Sequence, residues 1–332
     1  MDDPHRQRRE RRQRDVPALL RTEPGASASV PELLEQRQGA DDAGLQDDYA
    51  AMFSAVARQF AAEPYVLGYD LFNEPWPGTT WSDCLNLPGG CPALESGELA
   101  PAYAKAVSAI RAAGDHHLIF GEPFTLFNFG QSTTSMLVPG GDSNAGMSFH
   151  VYPLSTNKAQ DVIKNAISWS SGTGGALLNT EWGATESLMT LTLEATALDS
   201  ALVPWIFWSF CCELVPSLEH APGATNLVAS TASVLVQAYP LAVAGTPEKL
   251  TVDASAKTLS FTWSAVRAGG GTFVTGTVTT FEVPALTYPN GYTASVSNGW
   301  VISAPCAPLL TVAAMPSAQT VTVDVQPGGA CR

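Results

Sequence analysis

Residues 65–78 read Tyr65-Val-Leu-Gly-Tyr-Asp-Leu-Phe-Asn-Glu-Pro-Trp-Pro-Gly78. The first eight form a short, mostly apolar run of the kind that fills a strand buried on both faces. The run stops at Asn73-Glu74-Pro75-Trp76-Pro77-Gly78, where Asn, Pro and Gly set a turn. A buried strand that hands a carboxylate to a turn is the unit from which the rest of the chain can be read.

The same unit recurs outward from this stretch. Upstream, Tyr49, Met52, Phe53, Val56 and Phe60 follow helical spacing from Gln46, with Asp47 and Asp48 in the first turn and Pro64 as the stop. Downstream, Leu99, Tyr103, Val107 and Ile110 predict a helix closed by Gly114. Short apolar runs at 117–120, 147–152, 176–181 and 204–210 predict further strands, with helices at 158–169 and 187–199 between them. Strands alternating with helices predict a parallel sheet with helices outside. Each predicted strand ends in polar or charged residues: Glu74, Glu122, His150 and Tyr152, Glu181, and Glu213. In a (β/α)8 barrel the active site lies at the C-terminal strand ends, so these residues are the candidates.

From about Leu241 the pattern changes to short Thr- and Val-rich runs at 250–252, 258–263, 271–275, 277–283, 292–296 and 320–325. Gly, Pro and the turn pair Asn290-Gly291 divide them, which predicts an antiparallel β-sandwich. The expected organisation is therefore an Arg-rich segment over 1–44, disordered or non-native, then a partial barrel over 45–240 and a sandwich over 241–332.

Charge and cysteines narrow the function. The formal net charge is -14, and a surface of that sign repels phosphate backbones, which argues against a nucleic-acid partner. Eight arginines nevertheless crowd between Arg6 and Arg37, in a composition foreign to the rest. Six cysteines contain no CxxC pair, so a zinc ribbon or thioredoxin-like site is not expected. Two loop-closing disulfides, Cys84–Cys91 and Cys306–Cys331, would suit an exported protein; six free thiols are the competing reading. Adjacent Cys211 and Cys212 read as inert buried thiols. No apolar signal segment or membrane-length apolar run stands in the sequence. Neither a metal nor an organic cofactor is expected.

Glu74 and Glu181 carry the chemistry. Asn73-Glu74-Pro75 closes one predicted strand and Thr180-Glu181-Trp182-Gly183 closes another. Glycoside cleavage needs two carboxylates flanking the scissile bond, one able to hold a proton and one ionised. Two strand ends of one rigid sheet fix their separation.

With these motifs in order, ending on the FWSF run over 207–210, the chain resembles glycoside hydrolase family 5. The stretch over 68–78 and the segment over 281–292 are similar to the endoglycoceramidase-like branch, the latter within its C-terminal β-sandwich. The resemblance covers roughly residues 45–332. It implies a TIM-barrel fold and a retaining double displacement with Glu74 as acid/base and Glu181 as nucleophile. It implies that Asn73 bonds the sugar 2-hydroxyl, that His150 and Tyr152 form the HxY pair with Tyr152 donating to the nucleophile, and that Trp208 floors the sugar. It implies a carbohydrate or glycolipid substrate, an extracellular location and a monomer; a genuine N-terminus as written would instead place the chain in the cytoplasm. The loop from Trp76 to Ala93, with Trp81, is expected to shape an aglycone groove.

Blander readings stand beside these. His150 also reads as a satisfied core histidine, Trp208 and Trp205 as core, and Glu122 as a wall residue or a helix cap. The motifs also come early. Three βα units ahead of the Asn73-Glu74 strand would need roughly 90–100 residues, and 64 precede Tyr65. About five of the eight units are therefore expected, and the alternative function is an inactive remnant that binds sugar or lipid.

Overall fold

The computed structural model describes residues 44–77, 84–85, 89–152, 156–210, 227–274, 276–329 and 331. The expected Arg-rich segment, Trp81, Cys211, Cys212 and Glu213 lie outside the described residues.

Helix α1 (Leu45–Phe60) starts after Gly44, with Asp47 and Asp48 in its first turn and Arg58 in its last, matching the helix dipole at both ends. It buries the row Gln46, Ala50, Phe53 and Ala57. This differs from the expected stripe: Met52, Val56 and Phe60 stay exposed. The small Ala50 and Ala57 let the backbone settle closely on its neighbours, and Phe53 meets Tyr69 edge-on at 6.2 Å. A second helical arm runs from Pro92 through a π-turn (Glu95–Leu99) into α2 (Ala100–Ala112). Helix α3 (Thr156–Thr173) and α4 (Leu188–Ser200, capped by the Ser187 hydroxyl at Thr190) complete the outer layer.

Four parallel strands form the first sheet in the order β1 (Gly68–Asp70), β2 (Leu118–Gly121), β3 (Ala145–Val151) and β4 (Ala176–Trp182). All seven residues of β3 are buried, as a central parallel strand requires. β1 is shorter than the expected run over 65–72, since Tyr65 and Leu67 are exposed. Gly68 opens it because a Cβ there would run into the carbonyl oxygen of Leu118. The expected fifth strand over 204–210 is reduced to one parallel bridge, Trp205 to Asn179. The cause is a register shift in β4. Phe149 pairs with Asn179 but His150 pairs with Glu181, leaving Thr180 as an extra residue. The Asn179 amide takes the Glu181 carbonyl at 3.1 Å, so Trp208 N–H bonds Trp182 O instead.

A short helix, α5 (Ala229–Leu235), leads into two four-stranded antiparallel sheets. One holds β5 (Tyr239–Ala242), β8 (Val278–Glu282), β10 (Gly299–Val301) and β11 (Leu309–Ala314). The other holds β6 (Thr246–Asp253), β7 (Thr258–Ser264), β9 (Tyr292–Ser297) and β12 (Thr320–Pro327). The expected run over 271–275 makes only a bridge, Thr272 to Val266. Strict alternation on β7, β8 and β12 packs Phe261, Trp263, Phe281, Val321, Val323 and Val325 into a separate core. Each such aromatic contributes about 2–3 kcal/mol by burial.

Both expected disulfides are formed, Cys84–Cys91 and Cys306–Cys331. Gly291, at φ +81°, supplies the turn beside the second; a Cβ there would meet both sulfurs. Buried Asp199 ties Trp205 to the segment just ahead of β5, accepting from Trp205 Nε1 and Gln237 Nε2 at 2.9 Å each. No helix among the described residues is long and apolar enough to cross a membrane.

Candidate active site

Glu74, His150, Tyr152 and Glu181 converge at the C-terminal end of the parallel sheet. Glu74 follows β1 on a backbone with φ +45°, a left-handed conformation that costs a non-glycine residue on the order of 1–3 kcal/mol. The surroundings hold it there. Its N–H donates to Glu122 Oε2 at 3.1 Å, and Pro75 O accepts from Thr125 N–H and Oγ1 at 3.1 and 2.9 Å. The Asn73–Pro75 turn is thus a turn and also a carboxylate mount.

His150 is 1% exposed, and its ring spans three carboxylates. Nδ1 stands 2.8 Å from Glu74 Oε1 and 3.4 Å from Glu181 Oε2, while Nε2 stands 2.8 Å from Glu122 Oε1. The core-histidine and site-histidine readings are both satisfied: the residue is buried and it is bonded into the site. Tyr152 donates its hydroxyl to Glu181 Oε2 at 2.8 Å, the contact that the sequence resemblance implies. The bulge in β4 places Glu181 opposite His150, where an unshifted register would put Thr180.

The electrostatics follow from this packing. Burial works to lower the His150 pKa, but bonds to Glu122 and Glu74 and the charge of Glu181 outweigh it and push it up, so the ring keeps its proton. The His150 bond holds the Glu74 carboxyl below the usual range despite partial burial. Burial pushes Glu122 up, opposed by His150. Tyr152 is raised by burial and by its bond to Glu181.

Two site residues escape the sequence reading. Asn128, buried in the 3-10 turn Thr125–Phe129, donates to Glu74 Oε1 at 3.3 Å and accepts from His150 N–H at 3.0 Å. No spacing signal marks it, because an irregular loop delivers it. Asp70, on β1, accepts from Ser148 Oγ at 2.7 Å and is pushed up to about 6 by burial. A lone carboxylate inside the apolar run over 65–72 was its available signal.

The aromatic candidates divide. Trp76 and Trp208 are each 41% exposed. Trp205 is core, edge-on to Trp182 at 5.1 Å. Asn73 is exposed beside Glu74. Below them, buried Glu95 ties the Cys84–Cys91 loop to the segment after β2. It accepts from Cys91 N–H at 3.0 Å, Thr133 Oγ1 at 2.8 Å and the Ser135 hydroxyl.

A carboxylate oxygen of Glu74, one of Glu181 and a His150 nitrogen lie within 4.8 Å of one another. This trio is the grouping among the described residues whose donor atoms could surround a cation. Both His150 nitrogens face carboxylates, an arrangement that suits a ring donating from both sides.

Comparison with known proteins agrees with this architecture. Residues 29–213 match the Cellulase (glycosyl hydrolase family 5) family, and residues 238–325 match the glycoside hydrolase family 5 C-terminal domain. Endoglycoceramidase I of Rhodococcus hoagii is 26% identical over 312 residues, covering 86% of this chain and 59% of that protein. Endoglycoceramidase of Hydra vulgaris is 26% identical over 271 residues, covering 78% and 50%. The chain thus spans between half and three fifths of the length of these relatives. The lactosyl-enzyme intermediate structure of endo-glycoceramidase II from Rhodococcus sp. shares the fold with a TM-score of 0.71 at 22% identity, covering 90% of this chain and 67% of that one. A family match over more than half of its residues, on a sheet that carries paired carboxylates at its strand ends, shows that this chain belongs to glycosyl hydrolase family 5.

Proposed function

We propose that the chain is a retaining β-glycosidase that cuts the O-glycosidic bond of a glycolipid, with Glu181 as nucleophile and Glu74 as acid/base. The observation that carries this reading is the carboxylate spacing. One oxygen of Glu74 and one of Glu181 lie within 4.8 Å of each other, which favours the about 5–5.5 Å carboxyl separation of retaining enzymes over the inverting gap of about 6.5–9.5 Å.

Glu181 attacks the anomeric carbon as Glu74 passes a proton to the leaving oxygen. Water then attacks the glycosyl ester, with Glu74 accepting its proton. Tyr152 orients Glu181 through its hydroxyl, and Asn128 and His150 orient Glu74. Exposed Asn73, Trp76 and Trp208 are proposed to bind the sugar and its aglycone. The glycolipid class is drawn from the similarity to endoglycoceramidases. Two disulfides favour an oxidising, extracellular compartment, and the chain is proposed to act as a monomer.

The alternative is binding without turnover. The observation behind it is that the described parallel sheet has four strands and ends at β1, where Leu67 and Tyr65 are exposed. One experiment separates the two. The chain is incubated with a β-glucosyl ceramide and a soluble aryl β-glucoside, and the first-formed anomer is followed by NMR. Turnover with retention, lost in Glu181→Gln, supports the proposal. Inversion, or turnover that survives Glu181→Gln, overturns it, and binding without turnover selects the alternative.

A further inference from the structure

Among the strand-end carboxylates Glu74, Glu122 and Glu181, Glu122 is the least accessible, with 0% exposure; one of its oxygens is hydrogen-bonded and the other lies at ion-pair distance from His150. Oε2 accepts the Glu74 N–H at 3.1 Å, and Oε1 stands 2.8 Å from His150 Nε2. Its main-chain carbonyl accepts the Tyr103 hydroxyl at 2.9 Å, which fixes the residue from the α2 side. Across the ring, His150 Nδ1 is 2.8 Å from Glu74 Oε1. One imidazole thus connects a carboxylate sealed from solvent to the carboxylate assigned to proton transfer.

We infer that Glu122 is a positioning residue for the acid/base: it clamps the strained Glu74 backbone and holds His150 as an imidazolium whose Nδ1 proton is available to Glu74. This deepens the proposed glycosidase reading and rests on it. The groups facing His150 are Glu74, Glu122, Glu181, more distantly Asp70, and the Tyr152 ring, edge-on at 5.8 Å. Those facing Glu122 are His150, the Glu74 N–H and, more distantly, Asp70, Tyr103 and Tyr152. Three carboxylates around one ring overcome its burial and keep it charged.

The arrangement resolves a conflict within the site. Glu74 must donate a proton in the first step, yet its contact with His150 favours the ionised form. The proton is not lost; it resides on His150 Nδ1. As the C1–O bond breaks and the Glu181–C1 bond forms, the Nδ1 proton passes to Glu74 and from Glu74 to the leaving oxygen, which leaves Glu74 ionised. His150 is left neutral with Nε2–H still on Glu122. In the second step the Glu181–C1 bond breaks as the water oxygen bonds C1, and the water proton passes to Glu74 and on to Nδ1, which restores the starting state.

The test compares the parent, Glu122→Gln and Glu122→Asp by the pH dependence of kcat/KM on aryl β-glucosides with good and poor leaving groups. Glu122→Gln should lower the alkaline limb by about one pH unit or more, because the imidazolium loses a buried partner. Its loss of rate should be larger for the poor leaving group, which depends on the acid. Glu122→Asp should return the limb toward its parental position, even with a reduced plateau. A Glu122→Gln profile of unchanged limb and a loss independent of leaving group would reduce Glu122 to a structural role and overturn the inference. A second measurement needs neither variant nor turnover. Imidazole NMR of the parent should show His150 still protonated well above neutral pH, and a ring titrating near the free value of about 6.5 would also overturn it. If the parent turns over no glycoside, the proposed function fails while the NMR result still judges the Glu122–His150 pair.

Discussion

The parallel sheet and the C-terminal sandwich obey opposite rules. In the sandwich, β7, β8 and β12 alternate strictly, and the core that they share is almost wholly apolar. At the C-terminal end of the parallel sheet the chain breaks one local rule after another. Glu74 sits at positive φ, β4 is bulged at Thr180, and Glu122 and His150 are buried. Each departure places a functional group that a regular strand would have aimed elsewhere. The sandwich has register shifts too, but on its edge strands β5 and β6, whereas at the end of the parallel sheet the irregularities are held by hydrogen bonds around the candidate site.

Substitutions should separate these roles. The largest effect belongs to chemistry alone: Glu181→Gln should lower turnover by roughly ten-thousand-fold while leaving the melting temperature near the parental value. An equal loss of stability would erase the contrast. Next, Trp263→Ala should destabilise the sandwich by about 3–5 kcal/mol, read by urea unfolding. Intact His150 and Glu74 signals at concentrations where the sandwich has melted would show that the two cores unfold separately.

Helix α4 offers a pH test. Glu194 is buried there, its Oε2 has no partner, and burial raises its pKa from 4.5 to about 7. A carboxyl with a raised folded pKa contributes its full stability below the unfolded value and loses it as pH rises through the folded value. Glu194 should therefore destabilise the protein progressively between pH 4.5 and about 7, by up to about 3 kcal/mol. Glu194→Gln should flatten that part of the Tm-against-pH curve, and an unchanged slope would assign it to other groups. Smallest, Tyr152→Phe should lower kcat/KM by about ten- to a hundred-fold, the worth of one hydrogen bond to a charged group. No change would mean that the hydroxyl does not orient Glu181.

Much of this was legible beforehand, unevenly. The alternation around Phe261 and Val323 announced strands because side-chain period alone decides which face is buried. Asn73-Glu74-Pro75 and Thr180-Glu181-Trp182-Gly183 announce strand-end carboxylates because in each an apolar run gives way to a charged residue and a turn former. The stripe of α1 was misjudged, since Met52, Val56 and Phe60 fit helical spacing as well as Ala50 and Ala57 do, and only the neighbours choose between rows. The strand over 204–210 was overextended because a bulge in its partner leaves no trace in its own residues.

What the sequence determined by itself is the alternation of helices and strands up to about residue 200, the change to short β runs after about Leu241 and the identity of the paired carboxylates, because these depend on local period, turn chemistry and residue type. Only the tertiary structure decided that His150 reaches Glu74, Glu122 and Glu181 at once, that Asn128 belongs to the site, and that Glu74 bends into a left-handed turn. Those depend on register between strands and on loops packed from elsewhere in the chain. The energy of a hydrogen bond is set by where two groups meet, and local sequence says nothing about that meeting point.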